Sequence, residues 1–232
     1  MQSLKLFCFI LGLGAVSSAQ ADFIGVKAGI DYWNHSADLS NPASALPQAQ
    51  LEDDHGMSFS VAVEHPIPFL PNAKIKHTNL QAESNQSLAG VKSHQLDLDY
   101  SDFILYYEIL DNVVSADVGL GAKLLDGKIQ QNFTQNTEVS ETLPMLYAEA
   151  GVKLPFTGLS AKAEASFAKL TDSQVSDAQV ELKYDFVDTL LVDVGAKAGY
   201  RILDIQLREG SDQETKSKSK GPCMALQAHF SG

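Results

Sequence analysis

The chain has 232 residues, with 17 Lys and Arg against 29 Asp and Glu, for a formal net charge of −12 at pH 7. That acidic balance argues against a nucleic-acid partner and against adsorption to an anionic membrane surface. Of its two cysteines only Cys223 lies beyond the N-terminal leader, so no intramolecular disulfide is expected and packing and hydrogen bonding must hold the fold.

The leader is the first predicted element. In "MQSLKLFCFILGLGAVSSAQA", Lys5 precedes an apolar run from Leu6 to Val16, and Ala19-Gln20-Ala21 supplies an A-x-A cleavage site. Residues 1–21 therefore read as a secretory signal peptide, and residues 22–232 as a single domain. A membrane-spanning helix needs about 20 apolar residues, and this run is too short. Cys8 lacks the small residues that a lipoprotein cleavage site places before it, so no lipid anchor is expected. No later run approaches helical spanning length. That leaves a soluble exported protein or a membrane β-barrel, whose strands carry a weaker hydropathy signal.

From Phe23 onward the sequence alternates with period two, the mark of strands with unlike faces. The first strand sets Ile24, Val26, Ala28, Ile30 and Tyr32 against Gly25, Lys27, Gly29 and Asp31. The second sets Met57, Phe59, Val61 and Val63 against Ser58, Ser60 and Glu64. Ten strands are predicted near 23–33, 56–64, 73–81, 95–109, 113–126, 143–154, 159–169, 177–186, 190–204 and 222–230. Around Asp99 to Phe103 the phase slips, which predicts a β-bulge or a boundary between loop and strand. One set of connections is short: "HPIPFLPN", "LDN", "PFTG" and "VDT". The other set is mostly long and polar: 34–55, 82–94, 127–142, 170–176 and 205–221. The predicted fold is thus all-β, a transmembrane antiparallel up-and-down barrel with short periplasmic turns and longer extracellular loops.

A soluble lipocalin-like barrel alternates too, with its apolar face inside. Three features favour the membrane form. Glycines share the polar face with charges, where a narrow lumen needs room for long side chains. The inward charges on this phase assignment are Lys27, Asp31, Lys74, Lys76, Asp117, Lys123, Glu149, Lys153, Asp193, Lys197 and Arg201, together with Glu64, Lys162, Glu164, Glu181 and Lys183. Aromatics fall at strand ends as two belts: Phe23, Phe69, Tyr107, Phe156, Phe186 and Phe230 near the short turns, and Tyr32, Trp33, Phe59, Tyr100, Phe167 and Tyr200 toward the loops. The last strand, "MALQAHF", alternates and ends on Phe230, like the terminal signal that outer-membrane barrels present to their assembly machinery, although Ser231 and Gly232 follow.

The segments "VEHPIPFLPN", "LYYEILDNVVSADVGL", "LPMLYAEA", "LPFTGLS" and "AGYR" resemble those of a family of small proteobacterial outer-membrane β-barrels with no assigned function. The resemblance covers most of residues 22–232. It implies location in the outer membrane and barrel architecture, and it brings no catalytic residues.

Chemistry is sparse. "LEDDH", with Glu52, Asp53, Asp54 and His55, invites comparison with omptin proteases, yet no partner from the opposite wall is evident, and a solvated acidic loop is the simpler expectation. The six histidines show no H-E-x-x-H spacing. Ser166 and His77 are of the types that lipid A deacylation needs, but no spacing pairs them. Lys216, Lys218 and Lys220 read as a polyampholyte loop that could touch lipopolysaccharide phosphates. The expectation is a non-enzymatic outer-membrane barrel without cofactor or metal and with a charged, largely filled lumen, serving a structural, surface-interaction or narrow solute-binding role. Its expected partners are outer-membrane lipid, lipopolysaccharide and the barrel-assembly machinery, with no nucleic acid and a monomeric state. The alternatives are an outer-membrane enzyme acting on peptides or lipid A, and a soluble periplasmic barrel.

Overall fold

The computed structural model describes residues 24–40, 49–84, 87–88, 91–92, 94–131, 135–208 and 214–231. The expected signal peptide at 1–21, Phe23, the side chains of Glu52, Asp53 and Asp54, and Gly232 lie outside the described residues. The described strands are β1 (Gly25–Ser40), β2 (Ala49–Glu64), β3 (Asn72–Glu83), β4 (Ser87–Leu88), β5 (Val91–Lys92), β6 (Gln95–Asp111), β7 (Val114–Gln131), β8 (Gln135–Leu154), β9 (Leu159–Leu170), β10 (Ser173–Asp188), β11 (Val192–Leu207) and β12 (Thr215–Ser231). Ten of them form a closed barrel in the order β1-β12-β11-β10-β9-β8-β7-β6-β3-β2. The two-residue strands β4 and β5 make a separate hairpin between β3 and β6.

Every neighbouring pair is antiparallel, and β1 closes on β12 with Ala28 opposite Ala228 while pairing on its other side with β2. The short turns after β2, β6, β8 and β10, and both ends of the barrel sequence, lie at one end. The predicted fold class is therefore borne out. The strands run further toward the loop end than the sequence suggested. Much of 34–55, 127–142 and 205–221, read as loop, is strand, and β9 turns into β10 through Thr171 and Asp172 alone.

The reason lies in what happens to the two faces along each strand. On β6 the inward residues near the loops are Leu96, Leu98 and Tyr100, all buried, while further down the outward residues are the exposed Phe103, Leu105 and Tyr107. β11 does the same in reverse: Tyr200 and Ile202 face out, then Leu203, Ile205 and Leu207 face in. The barrel is inside-out in its turn half and oil-drop-like in its loop half. This corrects the expected bulge at Asp99 to Phe103. There β6 pairs without interruption from Glu83↔Gln95 to Asn72↔Tyr106, and its register shift falls lower, between Glu108 and Leu110. What slips in the sequence is the environment of the faces, and the backbone runs straight through.

One apolar cluster fills the loop half, from Ala37 and Leu39 round to Leu203 and Leu207, and reaches down to Tyr106 and Tyr147. Outside the turn half, the outward residues of β11 from Val192 to Ile202 span about 25 Å at the usual rise and barrel tilt, which matches the apolar band of outer-membrane barrels.

Candidate functional site in the lumen

Alternation aims odd residues of β1, β7, β8, β10, β11 and β12 and even residues of β2, β3, β6 and β9 into the lumen, so side chains distant in sequence meet at the same height. Three tiers of polar contacts result.

The uppermost tier bridges the lumen from wall to wall. Arg201 on β11 donates Nε to Asp177 Oδ1 (2.9 Å) and Nη2 to Asp177 Oδ2 (2.5 Å) on β10. It also reaches the Tyr100 hydroxyl (2.6 Å) and Ser58 Oγ (3.1 Å), and its guanidinium lies 4.9 Å from the Trp33 ring centroid. Trp33 donates its indole N–H to the Gly221 carbonyl (3.2 Å). On the opposite wall Lys123 donates to both oxygens of Asp102 (2.6 and 2.8 Å), with its ammonium 4.3 Å from the Tyr100 ring centroid. Arg201 and Lys123 are 1% and 0% exposed. Such buried charges are tolerated because each finds an opposite charge and further hydrogen-bond partners.

Below lies a second tier around a small cavity of about 50 Å³. Lys74 pairs with Glu164, and lies 3.0 Å from the Tyr147 hydroxyl and 3.6 Å from Glu149. Lys76 bonds Glu164 at 3.0 Å, Lys162 bonds Glu149 at 2.6 Å, and Lys197 bonds Glu181 at 2.9 Å with Asp31 at 3.6 Å.

The third tier is a vestibule of about 340 Å³ at the turn end. Lys27 bonds Glu64 (2.5 Å), which also accepts from the Tyr106 hydroxyl (2.7 Å). Lys183 pairs with Asp185 at 2.7 Å, and His229 lies 3.5 Å from Asp193. Gly195 makes room here, since a Cβ at that position would stand 2.5 Å from both Lys183 Cε and Asp185 Oδ1.

The predicted lumen set is brought together: Lys27, Asp31, Lys74, Lys76, Asp117, Lys123, Glu149, Asp193, Lys197 and Arg201 line these tiers, and Lys153 stands exposed at the vestibule lip. Of the predicted interface aromatics, Tyr32, Phe69, Tyr107, Phe156, Phe186 and Phe230 are exposed on the outside. Trp33 is not. It shares the parity of Asp31, so it points inward and is 1% exposed beneath Arg201. Tyr100 is corrected in the same way. Asp102, Asp177 and Tyr106 escaped the sequence reading, although strand parity extended along β6 and β10 would have found them.

Ser166 shares the lumen-facing parity of Lys162 and Glu164 on β9 and does not meet His77. His77 instead pairs with Ser101 across β3 and β6 on the outer face, Nδ1 to Oγ 2.9 Å. Among the described residues no group of three His, Cys, Asp or Glu side chains is placed to hold a metal ion.

No protein-family model matches the chain, and no curated protein matches it. Solved structures similar to it include the outer membrane protease OmpT from Escherichia coli, at 7% identity over 94% of this chain and 99% of that one, with a TM-score of 0.47. The outer membrane protein AlkL in lipid bilayers is similar at 16% identity over 93% of each chain, TM-score 0.37. Ail, the attachment invasion locus protein of Yersinia pestis, is similar at 10% identity over 87% of this chain and 97% of that one, TM-score 0.33. No residue role is carried over from any of them.

Proposed function

We propose that the chain is an integral outer-membrane β-barrel that forms no through-pore and binds small polar solutes in its turn-end vestibule. The carrying observation is the exchange of polarity halfway up the strands. The turn half presents Leu120, Leu146, Leu182 and Met224 to the outside, each more than half exposed, a surface that would aggregate in water and suits lipid. The closed sheet leaves no unpaired edge for the hydrocarbon to meet. The loop half has its own apolar core and stands outside the bilayer. Short turns then face the periplasm, lipopolysaccharide surrounds the outer rim, and the assembly machinery engages β12.

The bridging tier and the core above it block passage, so the vestibule is blind. Refolded protein in planar bilayers is expected to give no conductance above background, and discrete conductance steps would overturn the closed-lumen reading. Recovery from cells in the soluble fraction without detergent would overturn the membrane reading.

A second reading, an enzyme acting on lipid esters, has one observation in its favour. His77 and Ser101 touch at the upper edge of the apolar band, above the outward Ile75 and Phe103, near where lipid ester groups lie. Two features favour the non-enzymatic reading. Asn79 Nδ2 approaches His77 Nε2 at 3.5 Å while donating to Asp99 at 2.6 Å. Among the described residues His77 therefore has an amide, and no carboxylate, at its second ring nitrogen, and lacks the partner that orients a catalytic histidine. The surrounding strand amides are also committed to the sheet, so they supply no oxyanion donors. Treatment with a fluorophosphonate probe is expected to leave Ser101 unmodified, and labelling there would establish the enzyme.

A further inference from the structure

Like charges directly opposite on neighbouring strands destabilise a sheet. Yet on the lumen face Glu108 of β6 stands opposite Asp117 of β7, Asp117 opposite Glu149 of β8, and Glu149 opposite Glu164 of β9. This is a row of four carboxylates running across four neighbouring strands. Half of it is neutralised from within. Glu164 has Lys74 and Lys76, and Glu149 has Lys162. The nearby Lys27 is committed to Glu64.

Among the described residues Asp117 and Glu108 have no lysine bonded to them, and of these two only Asp117 is buried. It is 7% exposed, lines both the small cavity and the vestibule, and makes no hydrogen bond or ion pair with any described residue. A carboxylate so buried and unpartnered is costly unless a positive group reaches it. The vestibule around it carries seven carboxylates against four lysines, an excess of three negative charges.

We propose that the vestibule is a binding site for a small organic amine, whose ammonium groups sit between Asp117 and Glu108. The inference rests on the vestibule reading above and names its ligand class. An amine fits better than a metal ion. Among the described residues no three ligands converge as a metal requires, whereas about 340 Å³ is within the usual size range of small-molecule sites, roughly 300–1,000 Å³. Ammonium N–H groups also match carboxylates, which only accept. A diamine can satisfy Asp117 and Glu108 together, whereas Lys27, the nearby lysine, is bonded to Glu64.

The test uses the refolded full barrel and 1,4-diaminobutane, followed by calorimetry and by thermal unfolding. The diamine is expected to bind and to raise the unfolding temperature. Asp117→Asn and Glu108→Gln are each expected to weaken binding by about tenfold or more, as loss of a charge-assisted hydrogen bond does. Without the diamine, Asp117→Asn is expected to unfold at a higher temperature than the parent, because it removes repulsion. That readout identifies a folded variant with a lost site.

Magnesium chloride matching the effect while the diamine has none would overturn the amine assignment. Diamine binding unchanged in Asp117→Asn would overturn the site. A separate arm tests the vestibule itself: Ser160→Cys in a Cys223→Ser background should react with a hydrophilic maleimide. Labelling without diamine binding defeats the amine inference alone, and failure to label defeats the vestibule reading and this inference with it.

Discussion

Arg201 ties four other strands to β11 through Asp177, Tyr100, Ser58 and Trp33. Replacing it with methionine leaves Asp177 buried without a counter-charge, and breaking a buried pair from one side costs about 3–5 kcal/mol. Arg201→Met is therefore expected to unfold far more easily on heating than Arg201→Met/Asp177→Leu, which removes both charges. Equal losses would show that packing around the site, and not charge pairing, holds the tier. His35 sits just above this tier, 2% exposed, with neither ring nitrogen hydrogen-bonded to a described residue and its ring 4.5 Å from Trp33. Burial, then the Arg201 charge and His55, push its pKa down to about 4. The folded value is below the unfolded one of about 6.5, so the unfolded chain takes up the proton first. Stability is thus fully present above about pH 6.5 and falls as pH drops toward 4, by up to about 3 kcal/mol. Thermal unfolding of His35→Leu should lack that part of the acid sensitivity, and identical pH profiles would refute it.

At the scale of elements, two turns place phenylalanine where the backbone disfavours it. Phe69 and Phe156 both have φ of 66°, a region that a bulky residue rarely adopts, and both rings stand almost wholly exposed. Three prolines surround Phe69, at 66, 68 and 71, and they end pairing without leaving amide donors exposed near lipid. The strain is consistent with rings held in the bilayer interface. Phe69→Ser/Leu70→Ser is expected to lower the yield of insertion into lipid vesicles, and unchanged insertion would remove the anchoring role. Strand β6 offers an internal control for the exchange of faces. Leu98 points into the core and Leu105 points outward at 55% exposure. Leu98→Ala should cost about 2–5 kcal/mol in detergent or lipid alike. Leu105→Ala should cost much less. Similar losses at both positions would contradict the assignment of faces.

For the molecule as a whole, the two halves rely on different solvents. The loop half buries Leu39, Leu98, Leu125, Leu203 and Leu207 within the barrel, so it carries its own core. The turn half has ion pairs inside and apolar side chains outside, so lipid completes it. Hydrogen exchange should report this difference. On transfer from bilayer to detergent, amides of 203–207 are expected to keep their protection while those of 192–200 lose some. Uniform loss along β11 would mean that the barrel opens as one unit.

The sequence by itself determined the strands of the turn half, their inward charges and their outward rings, because period two fixes a face wherever one solvent lies on each side. It did not determine where that rule changes sign. The sequence alone puts Trp33 and Tyr100 among the interface rings and 34–55 and 205–221 among the loops, since a strand whose apolar face switches looks locally like a strand that ends. Only closure of the barrel decided the rest. It set Asp177 against Arg201 and Asp102 against Lys123, joined Lys74 to Glu164 across the lumen, and left Asp117 between two carboxylates with no cation bonded to it among the described residues. Parity places a side chain inside, but which side chains share a height depends on the stagger of ten strands around a ring, and alternation within a single strand carries no record of that stagger.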